Sequence, residues 1–203
     1  MTNTCVLKAA LLLLALGMQP RAIRCTAQTT AKTILDKAAA NIGRSGGVSA
    51  KFSTGGGGSL SGTLIIKGNK FKATTSAMTL WYDGTTQWAY LRSTEEVNVT
   101  TPTDAQSLNP YKFLNLYKQG YDLSSAKSGT GYQVHLTAQS SARAIREAYV
   151  TVDAGYEPTQ IKVLTSDGWT VINISDIKAG NYADNVFRFN AADYPNAEIV
   201  DLR

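Results

Sequence analysis

The side chains that could perform catalysis are few and scattered along this sequence. The single histidine, His135, lies in an alternating strand pattern with no acid or nucleophile recognisable beside it, and no serine stands in a G-x-S-x-G elbow. Glu95 and Glu96 read as the solvated start of a strand, although paired carboxylates for glycoside hydrolysis could still converge from distant positions. We therefore expect a protein that is not an enzyme and that uses no metal or cofactor.

Aromatic side chains offer a different chemistry, the binding of apolar surface. Residues 80–90 read as two aromatic strands joined at Asp83-Gly84, a pair typical of a tight hairpin because glycine tolerates a positive φ. In the second strand Trp88 and Tyr90 share one face, since side chains alternate along a strand. Two interpretations remain open: the rings fill the core of a small β domain, or they line an apolar pocket.

The first residues predict export from the cytoplasm. Lys8 precedes the short apolar run 9–17, which is too short to span a bilayer and is typical of a secretory signal. Cleavage after Ala27 would leave residues 28–203 as one domain, while lipidation of Cys25 is the competing interpretation. Removal of residues 1–27 takes away three positive charges and no acidic residue, so the formal net charge falls from +5 to +2. Such a weak charge gives no reason to expect nucleic-acid binding, and both cysteines would leave with the signal.

The remaining sequence predicts a mainly β protein with two helices. A helix is expected at 30–42, where Thr29 or Thr30 can cap it and Gly43 can end it. A second helix is expected at 109–120, with Pro110 in its first turn and Gly120 after its end. The predicted strands cover residues 47–53, 59–67, 70–75, 77–82, 87–92, 95–100, 121–125, 132–138, 144–153, 158–164, 169–178 and 186–189. The glycines at 55–58 read as a hairpin connection, not as a phosphate loop, because no Lys-Ser/Thr and no helix follows them.

Such a meander can form a sandwich, a closed barrel, or a half-barrel covered by the helices, and periodicity alone does not choose among them. Three groups of residues carry a family resemblance. They are Gly62-Thr63-Leu64-Ile65-Ile66-Lys67 followed by Phe71, then Asp83-Gly84 with Trp88 and Tyr90, and near the end Phe187-Arg188-Phe189 with Tyr194-Pro195 and Glu198-Ile199-Val200. In order and spacing they resemble the LolA-like outer-membrane lipoprotein carrier proteins of the LolA/LolB-like superfamily, from about Ile34 to the last residue.

The resemblance implies an unclosed antiparallel β-barrel, or half-barrel, with the N-terminal helix and the central helix as lid. It also implies a function, the carriage of lipoproteins or another acyl-chain ligand through the periplasm of a Gram-negative bacterium. The carrier would be a monomer that meets an inner-membrane release complex and an outer-membrane acceptor in transient membrane contact. The expected cavity wall is formed by Leu64, Ile66, Phe71, Met78, Leu80, Trp88 and Tyr90. The expected lid is formed by Phe113, Leu114 and Tyr117.

The chain departs from the better-known carriers at one position. Those proteins have an arginine followed by proline directly after the strand lysine, whereas Lys67 is followed here by Gly68 and Asn69. Lys67 or Lys70 could supply a cation nearby, or could be a solvated surface lysine. The alternative function is therefore a periplasmic lipid-sensing or protein-interaction module with the same fold and no transfer activity.

Overall fold

The computed structural model describes residues 30–55, 60–102 and 115–203. The predicted signal at 1–27 and the first half of the predicted central helix, residues 109–114, lie outside the described residues. Within the described part of the chain, no helix combines the length and the apolar composition needed to cross a membrane.

Twelve strands form one unclosed sheet, as expected for a half-barrel. All neighbouring pairs are antiparallel except β12 and β6, which are parallel, and the order across the sheet is β12-β6-β5-β4-β3-β2-β1-β11-β10-β9-β8-β7. The strands are β1 (Val48–Gly55), β2 (Ser61–Lys67), β3 (Lys70–Thr75), β4 (Met78–Tyr82), β5 (Gln87–Leu91), β6 (Glu96–Thr100), β7 (Tyr121–Ser128), β8 (Gly131–Ala138), β9 (Glu147–Val152), β10 (Pro158–Thr165), β11 (Gly168–Ala179) and β12 (Glu198–Asp201).

The first helix, α1 (Ala31–Ile42), forms where the local chemistry predicts it. The Thr30 hydroxyl accepts a hydrogen bond from the Thr33 backbone amide, which caps the first turn. At the other end the Gly43 amide donates to the Ala39 carbonyl, and the helix stops there. The buried stripe Ile34, Leu35, Ala38 and Ile42 faces the sheet, so α1 defines what we call the inner face.

The inner face carries two hydrophobic clusters. In the first, the N-terminal part of α1 packs on β8, β9 and β10, where Val134, Leu136 and Val150 are buried. In the second, Ile42 at the end of α1 meets Val48, Ile66 and other residues of β1 to β4. A single helix therefore contacts both parts of the inner face but fills only one of them.

The C-terminal segment covers part of the opposite, outer face. Phe189 and Tyr194 pack against Trp81, with ring centroids 5.6 Å away in each case. The prediction of a strand at 186–189 is wrong: Asp184–Phe187 is a 3₁₀ helix with a fully buried Phe187. The final strand is β12 instead, which pairs with β6 about a hundred residues earlier in the chain. Such a long-range pairing leaves no local pattern that sequence reading could detect.

The predicted hairpin at Asp83-Gly84 is confirmed. Strands β4 and β5 pair antiparallel on either side of it, and Gly84 adopts a φ of 104°. The Asp83 carboxylate accepts hydrogen bonds from the backbone amides of Thr85 and Thr86, at 3.1 and 2.9 Å. A short acceptor side chain and a glycine thus form the turn together.

Candidate functional site

An apolar cavity of about 320 Å³ lies on the inner face, beside the part that α1 fills. Its wall combines the C-terminal end of α1 with strands β1 to β4, β10 and β11. The lining residues are Ile42, Val48, Ala50, Lys51, Phe52, Leu60, Leu64, Ile66, Phe71, Ala73, Thr75, Met78, Leu80, Pro158, Ile161, Ile172 and Ile174.

Strand alternation and register produce this wall. Leu64 of β2 pairs with Ala50 of β1 on one side and with Ala73 of β3 on the other, and Ala73 in turn pairs with Leu80 of β4. Paired residues of neighbouring strands point to the same face of a sheet. One row of apolar side chains therefore runs across four strands, and its two alanines leave space between the larger leucines.

A bulge in β11 keeps this strand apolar on the inner face along most of its length. Ser49 pairs with Lys178 and Lys51 pairs with Ser175, so β11 contributes one extra residue between these pairs. Asp176 lies in the bulge with a φ of 53°. Ile174 lines the cavity and Ile177 packs against the second cluster, although an odd spacing would otherwise place them on opposite faces.

Thr75, the buried polar residue of this wall, has its hydrogen bonds satisfied within the protein. The Thr75 hydroxyl accepts hydrogen bonds from the Ala77 and Met78 amides and donates to the Met78 carbonyl, at 3.3, 3.0 and 3.2 Å. Among the described residues, no buried side-chain nitrogen or oxygen lacks a hydrogen-bond partner. The cavity can hold an apolar group, because a polar group placed inside would lose its hydrogen bonds to water.

Five of the predicted wall residues lie on this wall. Phe71 is 2% exposed and closes one end, while Met78 lies toward the other end. The five are Leu64, Ile66, Phe71, Met78 and Leu80. Their contact with a ligand stays a prediction.

The prediction that Trp88 and Tyr90 belong to the cavity wall is wrong. In β5, Trp88 pairs with Trp81 and Tyr90 with Thr79, whereas Leu80 pairs with Ala89. The two rings therefore face the opposite side of the sheet from Leu80. Tyr90 packs 4.6 Å from the ring of Tyr194 in the outer cluster. A shift of one residue reverses the face of every side chain in a strand, and the composition of β5 does not indicate which face is inside.

The prediction that Tyr117 belongs to a lid over the cavity is also wrong. Tyr117 belongs to the first hydrophobic cluster, under α1, and does not line the cavity. It lies in a 3₁₀ turn, Leu116–Lys118, and is 5% exposed. Its hydroxyl donates to the carboxylate of Asp36 on α1 at 2.6 Å. Donation from Lys32 and from Tyr117 lowers the pKa of Asp36 below its ordinary value. The predicted lid residues Phe113 and Leu114 lie outside the described residues.

Sequence reading missed the half of the wall that comes from α1, β1, β10 and β11. The missed residues include Ile42, Ala50, Ile161, Ile172 and Ile174. A signal was present, because Ile172 and Ile174 are two residues apart in a strand that is apolar on both faces. Distinguishing the two faces required the register with β1.

The two lysines considered as substitutes for the family's arginine lie on the outer side and hold the C-terminal segment. Lys70 approaches one Asp184 carboxylate oxygen at 2.7 Å and Lys67 the other at 3.2 Å, and Lys67 also donates to the Tyr182 carbonyl at 2.7 Å. Hydrogen bonds from Lys70 and Lys67 lower the pKa of Asp184. Neither lysine is among the residues that line the cavity.

His135 also lies on the outer side. Its ring stacks on Tyr149 at 4.3 Å with the planes almost parallel, and its Nε2 lies 3.2 Å from the Glu147 carboxylate. These are cross-strand contacts between β8 and β9. These contacts give His135 a structural role on the surface of the sheet.

The chain that forms this half-barrel and its cavity matches a known protein family. The model of the family described as "Outer membrane lipoprotein carrier protein LolA" matches residues 23–167, which is well over half of the chain. The chain belongs to the LolA family. This membership confirms the resemblance carried by residues 62–71 and 83–90.

Several solved structures resemble the chain at low sequence identity. An uncharacterised conserved protein from Thermus thermophilus superposes with a TM-score of 0.58 at 15% identity, over 84% of this chain and 98% of that one. A LolA superfamily protein from Nitrosomonas europaea gives 0.44 at 13% identity, over 79% and 98%. MucB in the MucA/MucB complex of Pseudomonas aeruginosa gives 0.42 at 12% identity, over 79% and 61%. A comparison with curated proteins found no match.

Proposed function

We propose that this protein is a periplasmic carrier that holds the acyl portion of a lipoprotein or a related lipid in its cavity. The carrier would accept its cargo from an inner-membrane release complex and deliver it to an outer-membrane acceptor. The protein would act without catalysis. The observation that carries the proposal is the apolar cavity next to a helix-filled core.

The energetics of lipid transfer support this use of the cavity. An acyl chain in water costs about 0.8 kcal/mol for each exposed methylene, so a soluble carrier must surround it with apolar side chains. Leu64, Leu80 and Ile161 supply such a surface and are only partly buried by the protein itself. A bound chain would complete their burial. Release also requires moderate affinity, which an apolar wall favours when its polar groups, on Thr75 and Lys51, are already paired within the protein.

The second candidate is a lipid-sensing or protein-interaction module that transfers nothing. The unfilled cavity favours a ligand-binding role over a purely structural one. A sensor would bind lipid as the carrier does, but it would not pass the lipid on. Transfer between donor and acceptor membranes therefore separates the two candidates.

Native mass spectrometry is the first test. The full chain would be expressed with its own N-terminal segment and isolated from the periplasm without detergent. A copurifying lipoprotein or other acylated molecule is the expected result. A protein that is empty and also rejects added acyl ligands would contradict both lipid-binding candidates and favour an interaction module.

A matched pair of variants in β11 tests whether the ligand occupies the cavity. Ile174→Glu places a carboxylate on the wall and should weaken acyl binding by at least about tenfold, because the charge must lose water when the chain enters. Ser175→Glu adds the same charge on the neighbouring, exposed residue and should leave affinity unchanged. The measurement is titration with a fluorescent fatty acid, and circular dichroism checks folding. Equal affinities in the two folded variants would place the ligand elsewhere.

A further inference from the structure

The cavity has one closed end and one open end along the strand direction. At the closed end the lining residues Val48, Ile66 and Phe71 are each 5% exposed or less, and Ile42 of α1 lies beside them. They come from the start of β1, the end of β2 and the start of β3, which meet at one edge of these hairpins. The cavity therefore has a floor formed by well-packed side chains.

The open end lies at the opposite ends of the same strands. Leu60 lines the cavity there and is 37% exposed. Two hydrogen bonds hold it against β1: the Thr54 amide donates to the Leu60 carbonyl at 2.7 Å, and the Leu60 amide donates to the Thr54 hydroxyl at 3.1 Å. Met78 and Ile172 belong to this end as well. A ligand can leave its polar part here in water.

The distance between the two ends is of the same order as the length of one acyl chain. From Val48 to Thr54 the strand rises about 20 Å, at about 3.3 Å for each residue. A bilayer core of about 30 Å contains two leaflets, so one chain spans about 15 Å. A single chain of this length fills most of the distance from the open end, and a longer chain reaches the floor.

The volume of the cavity also fits one narrow ligand. At about 320 Å³ it lies at the small end of the range of roughly 300 to 1,000 Å³ that ligand pockets occupy. The wall offers no free polar group to a head group, because the Thr75 hydroxyl is committed to the β3–β4 turn and the Lys51 ammonium is paired with Asp176 at 2.6 Å. The polar part of the ligand must remain at the open end.

Phe71 is the residue that fixes the floor. Its ring packs 5.5 Å from the ring of Tyr82, and the Tyr82 hydroxyl donates to the Gly84 carbonyl at 2.9 Å. The turn at Asp83-Gly84 therefore holds Tyr82, and Tyr82 holds Phe71. Such a floor stops a chain at a defined depth.

We propose that the cavity is a blind slot for one unbranched acyl chain, and that Phe71 sets the longest chain that it accepts. The ligand class is a single-chain amphiphile with its head group at Leu60, such as a free fatty acid or a lysolipid. This inference rests on the proposed function, since it concerns the same cavity. It restricts the expected cargo to lipids with one acyl chain, because two of the three chains of a triacylated lipoprotein would stay outside the slot.

A series of saturated fatty acids of increasing length tests the slot directly. Displacement of a fluorescent fatty acid from the full mature protein gives the affinity for each length. Each methylene buried in the slot should raise affinity by about fourfold, which is the ratio for 0.8 kcal/mol. The gain should stop at the length that reaches Phe71. Two-chain phospholipids of the same chain length should bind no more tightly than the single chain.

Two variants should move the length limit in opposite directions. Phe71→Leu shortens the floor side chain and should shift the limit to longer chains. Ala73→Leu adds bulk in the middle of the wall without opening a hole, and should shift the limit to shorter chains. Thr63→Leu is the matched control, because it adds a leucine to the neighbouring strand on the exposed outer face. Its limit should equal that of the unmodified protein.

The outcomes separate this inference from the carrier proposal. A limit that moves as described supports the slot. Acyl binding with no length limit, an equal limit in all variants, or tighter binding of two-chain lipids would overturn the slot and leave the carrier proposal standing. No binding of any chain would overturn both.

Discussion

In the described part of the chain, a helix fills the inner face at β8 to β10, whereas a cavity lies at β1 to β4, although both regions contain strands that alternate apolar and polar residues. At β8 to β10 the side chains of Ile34 and Leu35 from α1 complete the burial of Val134 and Val150. At β2 and β4, Leu64 and Leu80 are only partly buried, and they line the cavity together with Ile42 at the end of α1. A strand pattern thus creates an apolar surface, and the position of the helix decides whether that surface becomes core or binding site.

Helix length explains why one helix cannot cover both regions. The twelve residues of α1 span about 18 Å, whereas twelve strands side by side extend over roughly 50 Å. Anchors hold the helix at one position. The Asn41 side chain donates to the Gly155 carbonyl at 2.9 Å, and the Lys37 ammonium lies 4.1 Å from the centre of the Tyr156 ring. These contacts hold α1 beside the connection between β9 and β10.

Truncation of one residue from each region should give the largest difference. Ile34→Ala removes a fully buried side chain and should lower the free energy of unfolding by about 2 to 5 kcal/mol. Leu80→Ala, at the partly exposed wall, should cost clearly less stability but weaken acyl binding. Urea unfolding and fatty-acid titration measure the two effects. Equal losses of stability would mean that the two regions are packed alike.

The contact between Tyr117 and Asp36 should give an intermediate effect that depends on pH. Tyr117→Phe removes a hydrogen bond to a partly exposed carboxylate, which contributes about 1 kcal/mol at neutral pH. Because folding lowers the pKa of Asp36 from 3.8, its contribution is present above pH 3.8 and is lost as the pH falls through the folded-state value.

The measurement is the difference in unfolding free energy between the two proteins at neutral pH and at about pH 3. That difference should shrink at the lower pH. A difference that is constant across this range would show that the Asp36 carboxylate is not the group that Tyr117 stabilises. Acyl affinity should stay unchanged in the variant, since Tyr117 belongs to the filled region.

The smallest effect on binding is expected on the outer face. Trp88→Leu changes a ring that faces away from the cavity, so acyl affinity should not change. The variant should lose some stability, because Trp88 packs against the outer aromatic cluster. A marked loss of affinity in a folded Trp88→Leu protein would restore the sequence-based assignment of this residue to the wall.

Local features of the chain could be predicted because the interactions that produce them lie close together in sequence. Thr30 and Gly43 mark the ends of α1, and Asp83 with Gly84 marks a hairpin, through contacts within four residues. Strand β3 was predicted with its observed bounds for the same reason. The family resemblance likewise rested on short segments read in order.

Tertiary structure alone decided which of these local features form the cavity. The inner face of β5 depends on its register with β4, and a shift of one residue moves Trp88 to the other side. The bulge at Asp176 sets the inner face of β11, and the parallel pairing of β12 with β6 joins segments about a hundred residues apart. Strands β1 to β11, the helix α1 and the family could be predicted from the sequence, because periodicity and capping act over a few residues. The cavity depends on the position of α1, which covers β8 to β10 and contributes only its end residue Ile42 to the cavity wall.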